Sequence, residues 1–175
     1  MNVDERHQKI GKLTDKQAIS ILRKLTDRLL DRIPNNNLEN IDQAQAITTL
    51  YSENGYQIDK SVVEKYLSQA NESSVGQASR QLLELMAEQN DTDLLDRLDK
   101  ELLEPPEDEV AGIELLISLP LIITGCVALL NVVSGIKYSD GKLSYDPVAA
   151  KDVIKTNLSG VTSALKSLIP FHKGK

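Results

Sequence analysis

A chain of 175 residues with 41% hydrophobic and 26% charged side chains has the composition of a folding sequence and not of a disordered one. Twenty basic against 26 acidic side chains give a net charge of −6, the wrong sign for gripping a phosphate backbone, and one Phe, five Tyr and no Trp leave few platforms for stacking bases. Nucleic acid is therefore excluded as the main partner. The lone cysteine, Cys126, cannot form an intramolecular disulfide, and His7 and His172 lie too far apart in sequence to suggest a His-rich zinc site.

Charge divides the chain into unlike parts. Residues 1–112 carry 13 Lys and Arg against 22 Asp and Glu, residues 113–135 only Glu114, and residues 136–175 seven Lys against three Asp. The expected organisation is an acidic helical bundle over 1–103, a proline-rich acidic linker over 104–112, an apolar segment over 113–136, a β-hairpin over 137–146 and a basic amphipathic helix with its tail over 147–175. The fold class is thus mainly α.

Five helices are expected in the acidic part. Thr14 and Gln17 have capping-box spacing, Leu13 can staple onto Ala18, and Ile21, Leu22, Leu25, Leu29 and Ile33 follow at helical steps up to Pro34. Asn40 with Gln43 opens the next, striped by Ala44, Ile47, Leu50 and Tyr51 and stopped at Asn54-Gly55. Asp59 caps a third, with Val62, Val63, Tyr66, Leu67 and Ala70 apolar. Ser74 with Gln77 precedes Ala78, Leu82, Leu85 and Met86, and Asp91 or Thr92 precedes Leu94, Leu95, Leu98 and Leu102. Short connections make neighbours antiparallel, so these five should form a compact bundle able to receive a protein partner. In Glu104-Pro105-Pro106-Glu107-Asp108-Glu109 two prolines halt the helix and four carboxylates oppose burial.

The 22 residues from Leu115 to Ile136 contain no charge and hold Leu, Ile or Val at 13 positions. As a helix they would reach roughly 33 Å, about the thickness of a bilayer core. Two readings follow: a membrane segment, or a central helix buried on every face of an all-α domain. Pro120 and Gly125 should shape the segment, Cys126 should act as small apolar filler, and Ser118, Gly125 and Ala128 could form a small-residue packing face suited to a homo-oligomer. By the positive-inside rule Lys137, Lys142, Lys151 and Lys155 place the C-terminal side in the cytoplasm. That topology would carry the whole acidic bundle across the membrane without a cleavable signal, so a re-entrant insertion broken at Pro120 is an alternative.

Asp140-Gly141 flanked by alternating apolar and polar residues marks a hairpin. Pro147 is expected to begin the last helix, with Ala150, Val153, Ile154, Leu158, Val161, Leu165 and Leu168 on its apolar side and Pro170 ending it. Lys151, Lys155 and Lys166 would face anionic lipid, worth on the order of 1 kcal/mol each near a membrane surface.

No chemistry can be nominated. The sequence contains no phosphate-cradling glycine loop, dinucleotide fingerprint, nucleophile elbow or HExxH pair. Cys126 sits among apolar neighbours and lacks the electropositive setting of a reactive thiol. The run Glu101, Glu104, Glu107, Asp108 and Glu109 lacks the glycine and alternation of a calcium loop. No catalytic, cofactor or metal residue is expected. The sequence reading is a non-enzymatic, membrane-associated protein whose soluble bundle anchors or regulates a membrane-inserting, pore-forming C-terminal module, from Leu115 to Ile136 and onward. The alternative is a cytoplasmic all-α adaptor with the apolar segment as core. In outline a helical bundle joined to an apolar tail is similar to adaptor and effector proteins of bacterial conflict systems.

Overall fold

The computed structural model describes residues 1–34, 38, 41–107 and 115–170, and the side chains of all of these except 115–119. Among them are eight helices and one two-stranded antiparallel sheet: α1 Val3–Gly11, α2 Asp15–Leu30, α3 Gln43–Glu53, α4 Lys60–Ser68, α5 Glu72–Ala87, α6 Thr92–Leu103, α7 Leu115–Ser134, β1 Ile136–Ser139, β2 Lys142–Tyr145 and α8 Lys151–Leu165. The mainly α class, with a hairpin and a C-terminal helix, is as the sequence indicates.

Local chemistry sets the helix starts. The Thr14 hydroxyl accepts the Gln17 N–H at 3.2 Å while the Gln17 amide accepts the Thr14 N–H at 3.1 Å, the expected capping box. Asp42 caps α3, accepting the Gln45 N–H at 3.1 Å; Asn40, the expected opener, lies outside the described residues. α5 begins earlier than Ser74 suggests. Asn71 is the cap and Ser74 the reciprocal third residue, because a better capping side chain stands three positions upstream. Asp91 caps α6, whereas Asp59 occupies the cap position of α4 without a side-chain bond. α8 starts at Lys151 instead of Pro147: the Asp146 carboxylate accepts the Val148 N–H at 2.9 Å and holds residues 146–148 in a turn.

α1 is an element absent from the hydrophobic reading. Its only buried side chains are Ile10 and Arg6, too few for a periodic stripe. Arg6 bonds Asp99 on α6 through Nε at 2.6 Å and Nη2 at 2.9 Å, so an ion pair, and not an apolar face alone, docks this helix. The signal that could have found it is the Asn2/Glu5 capping box.

α2 packs chiefly on α5 and α7, α5 on α2, α8 and α7, and α3 on α4 and α8. α7 lies inside this arrangement. Ile122, Ile123, Cys126, Val127, Ala128, Leu129 and Leu130 are all at most 2% exposed, so the helix buries consecutive residues on every face. Among the described residues no helix is long and apolar enough to cross a membrane.

Candidate functional site

The residues singled out by the sequence fall into three environments. Gly125 faces α2, where a Cβ would lie 3.0 Å from Thr26 Oγ1 and 3.8 Å from Leu22 Cδ1. The small-residue position thus seats a neighbouring helix of the same chain. Ala128, Cys126 and Ile136 are buried, Pro120 is exposed, and the side chains of Leu115 and Ser118 lie outside the described residues. Burial pushes the Cys126 thiol well above the usual range, leaving it protonated and inert. Lys151 and Lys155 are exposed and make no ion pair among the described residues, while Lys166 stands 5.6 Å from the centre of the Tyr56 ring.

The hairpin is fastened along α3. Its two-residue turn has positive φ at both Asp140 (52°) and Gly141 (78°), the type I′ geometry that matches strand twist. The Thr49 hydroxyl donates to the Gly141 carbonyl at 3.0 Å, and one turn further along α3 the Tyr145 hydroxyl donates to Glu53 at 2.5 Å. Burial and the Glu53 carboxylate push the Tyr145 phenol up to about 12. α8 is fixed by a buried polar clamp. Asn157 donates to the Ser134 hydroxyl at 2.7 Å and accepts from Gln89 at 3.0 Å, joining the ends of α7 and α5. Asn54 at the end of α3 donates to the Leu158 carbonyl and the Thr162 hydroxyl.

Two clefts flank this fastened hairpin. The larger, about 900 Å³, runs between the α2–α3 connection and β1 and is lined by Ile33, Leu38, Ile41, Gln45, Asn131 and Tyr138 among others. Asn131, the polar residue inside the apolar segment, therefore faces this cleft, and its amide makes no hydrogen bond among the described residues. Asp42 on the rim is held by Lys60, whose ammonium keeps the carboxyl below its usual range. The smaller cleft, about 390 Å³, lies between the ends of α3 and β2 and the start of α8, with Tyr145, Pro147, Ala149, Ile154 and Leu158 as its apolar lining. Around it stand exposed apolar side chains: Val148 at 89%, Val153 at 44% and Tyr145 at 41%. The sequence marks the hairpin but not these clefts, because each is built from segments distant in the chain.

Four carboxylates on or capping α6 are held in ion pairs. Asp91, Asp93, Asp99 and Glu101 on or capping α6 pair with Arg32, Arg28, Arg6 and Lys24, and paired guanidinium hydrogen bonds, two to each carboxylate, hold Asp91 and Asp99 below the usual carboxylate range. Among the described residues no three His, Cys, Asp or Glu come together in a way that could hold a metal ion. Compared with known proteins, the chain matches no family model, no curated protein and no solved structure.

Proposed function

We propose that the chain is a non-enzymatic helical interaction module in which the apolar segment serves as internal core and the surfaces around the hairpin receive a partner. The observation that carries this reading is the burial of α7 beneath α2, α5 and α8, with seven of its apolar side chains at most 2% exposed. A helix apolar on all faces is accommodated by either a core or a bilayer, and here its faces have neighbours. In the smaller cleft the Tyr145 hydroxyl donates to Glu53, and burial together with that carboxylate raises the phenol above its usual range, so we read the pair as fastening β2 to α3.

The test is alkaline carbonate extraction of membranes from expressing cells, run on the full chain and on a version lacking residues 113–136. The reading expects release of the full chain as a monodisperse protein and aggregation of the deletion. Retention of the full chain in the pellet, with a soluble deletion, would sink it.

A second reading has its own support. Three of the exposed large hydrophobics, Tyr145, Val148 and Val153, stand beside Lys151 and Lys155, and α8 covers α7. An anionic bilayer that engaged this patch and drew α8 aside would uncover an apolar helix, the pore-forming arrangement expected from the sequence. Dye-loaded anionic vesicles should then leak on addition of the chain, and less so after Lys151→Glu and Lys155→Glu; retained dye at high protein load removes this reading.

A further inference from the structure

We infer that Asn54 is a self-modification site: when α8 lifts from α3, Asn54 loses ammonia to its own backbone and becomes a carboxylate unable to hold α8 down again. The only co-reactant is water. The inference goes beyond both readings above and rests on neither.

The sequence supplies the reactive pair. An asparagine deamidates when the backbone nitrogen of the following residue attacks its side-chain carbonyl carbon, and glycine, with no Cβ to crowd the approach, is the neighbour that permits this best. Asn54 is the one asparagine in the sequence that glycine follows. The fold itself calls for that glycine. Gly55 sits at φ +77° where the chain turns off the end of α3, a conformation that strains any other side chain.

In the closed fold both nitrogens of the reaction are engaged. The attacking atom, Gly55 N, donates its hydrogen to the Ser52 carbonyl at 3.0 Å. The departing atom, Asn54 Nδ2, donates to the Leu158 carbonyl at 2.8 Å and to the Thr162 hydroxyl, both on α8. Cyclisation needs the first nitrogen stripped of its proton and the second free to leave, so the end of α3 has to part from α8 before it proceeds.

The step then balances without any oxidant or reductant. Gly55 N gives up its proton to solvent and bonds to Asn54 Cγ; the Cγ–Nδ2 bond breaks and ammonia leaves with a proton taken back from solvent, closing a five-membered succinimide. Water adds to one of the two ring carbonyls and breaks that carbonyl's bond to Gly55 N, which regains its proton. Opening at Cγ gives aspartate, and opening at the main-chain carbonyl gives isoaspartate.

The product does not fit where the amide was. The Leu158 carbonyl can only accept, and the Thr162 hydroxyl spends its own proton on that same carbonyl at 2.8 Å, so both groups face residue 54 as acceptors. The Asn54 amide answers them with two hydrogens. A carboxylate offers none and sets a charge against two oxygens where Leu158 is 5% and Thr162 2% exposed. Glu53 adds like charge from the preceding position, while Lys151 and Lys155, which line the smaller cleft together with residue 54, draw the carboxylate out of the latch. The end of α3 therefore releases α8, the helix that packs on α7. Opening permits the reaction and the reaction preserves the opening, which makes the latch a one-way ratchet.

The experiment incubates the purified full chain in mildly alkaline buffer, with and without denaturing urea, and follows the mass and isoaspartate content of the peptide spanning residue 54. Deamidation should be slower in the folded chain by about tenfold or more, since it proceeds only from an opened state. Asn157→Ala, which loosens α8 at its separate clamp on Ser134 and Gln89, should speed the folded-chain reaction several-fold. The product arm uses Asn54→Asp, whose α8 amides from Leu158 to Leu165 should exchange hydrogen about tenfold faster than in the parent chain. Should that variant fail to fold, Asn54→Ala, which cuts the latch without adding charge, should show the same acceleration. Equal deamidation rates in folded and denatured chain overturn the proposal, as does a rate untouched by Asn157→Ala, which would detach the reaction from α8. Parent-like exchange of α8 in the product arm overturns it as well, because the modification would then release nothing.

Discussion

Replacing Gly125 by Leu separates a buried α7 from a membrane-inserting one by the sign of its effect. A Cβ at this position would already stand 3.0 Å from Thr26 Oγ1 and 3.8 Å from Leu22 Cδ1, and leucine adds three more carbons beyond it. Thr26 is 1% exposed and Leu22 is fully buried, so neither side chain can swing into solvent. Overpacking of a closed contact costs about 1–3 kcal/mol and at times more, here partly offset by the roughly 0.8 kcal/mol that leucine gains over glycine in a helix. The net is a loss of about 1 kcal/mol, which for a chain of this size lowers Tm by about 2–4 °C. Thermal unfolding of the purified chain, followed by circular dichroism at 222 nm as the usual helix signal, reads it directly. A second substitution, Thr26→Ala, makes room and should restore about half of the loss, which a general failure of folding would not permit. If α7 instead entered a bilayer, leucine would favour insertion. An unchanged Tm with more protein in the membrane fraction would refute the packing argument.

Other outcomes follow from neighbouring contacts. Thr26 Oγ1 is buried with no hydrogen-bond partner among the described residues, so Thr26→Val, which keeps the shape and removes the orphaned hydroxyl, should raise stability by about 1 kcal/mol in urea unfolding. Asn157→Ala leaves Ser134 and Gln89 without their shared partner and should cost about 2 kcal/mol by the same assay; a change within error would mean the clamp is idle. Asp99, held below its unfolded value by the Arg6 hydrogen bonds, contributes stability that is present above about pH 4 and is lost as pH falls through its folded value. Asp99→Asn should therefore lower stability at pH 7 by about 1–3 kcal/mol and flatten the acid limb of the stability profile. Gly141→Ala forces a side chain into φ +78° and within 3.3 Å of Gln45 Cγ, and should loosen the hairpin by about 1 kcal/mol, read as faster exchange of the Ser139 amide.

Much of the helical framework was legible because each stripe repeats at the helical period and several carry their own cap. α2 is the clearest case: Thr14, Gln17 and the Ala18-to-Leu29 series specify its start and its buried face. What escaped the pattern has physical reasons. α1 lacks a stripe and relies on Arg6 reaching Asp99, 93 positions away, a pairing no local window contains. α7 reads from its apolar length first as a span and second as core, and the neighbours α2, α5 and α8 packed around it are contacts that no local window of sequence contains. The site residues were least visible. Lys151 and Lys155 are exposed as a charged face should be, but Lys166 is drawn to the Tyr56 ring, and Asn131 shows itself as a cleft residue only once the hairpin is placed beside α3.

The position of α7 in the chain has a bearing on synthesis. Of the helices that cover it, α2 and α5 precede it, whereas α8 follows the hairpin. When the apolar segment leaves a ribosome, α8 is still inside the exit tunnel, so one flank of the greasiest stretch of the chain emerges without its cover. Strand pairing across a two-residue turn is among the faster events available to a polypeptide, on the order of 1–10 μs. The hairpin thus reverses the chain soon after it emerges and brings α8 back against α5 and α7. Until that moment a chaperone or a membrane-targeting factor competes with the protein's own last helix for the same surface.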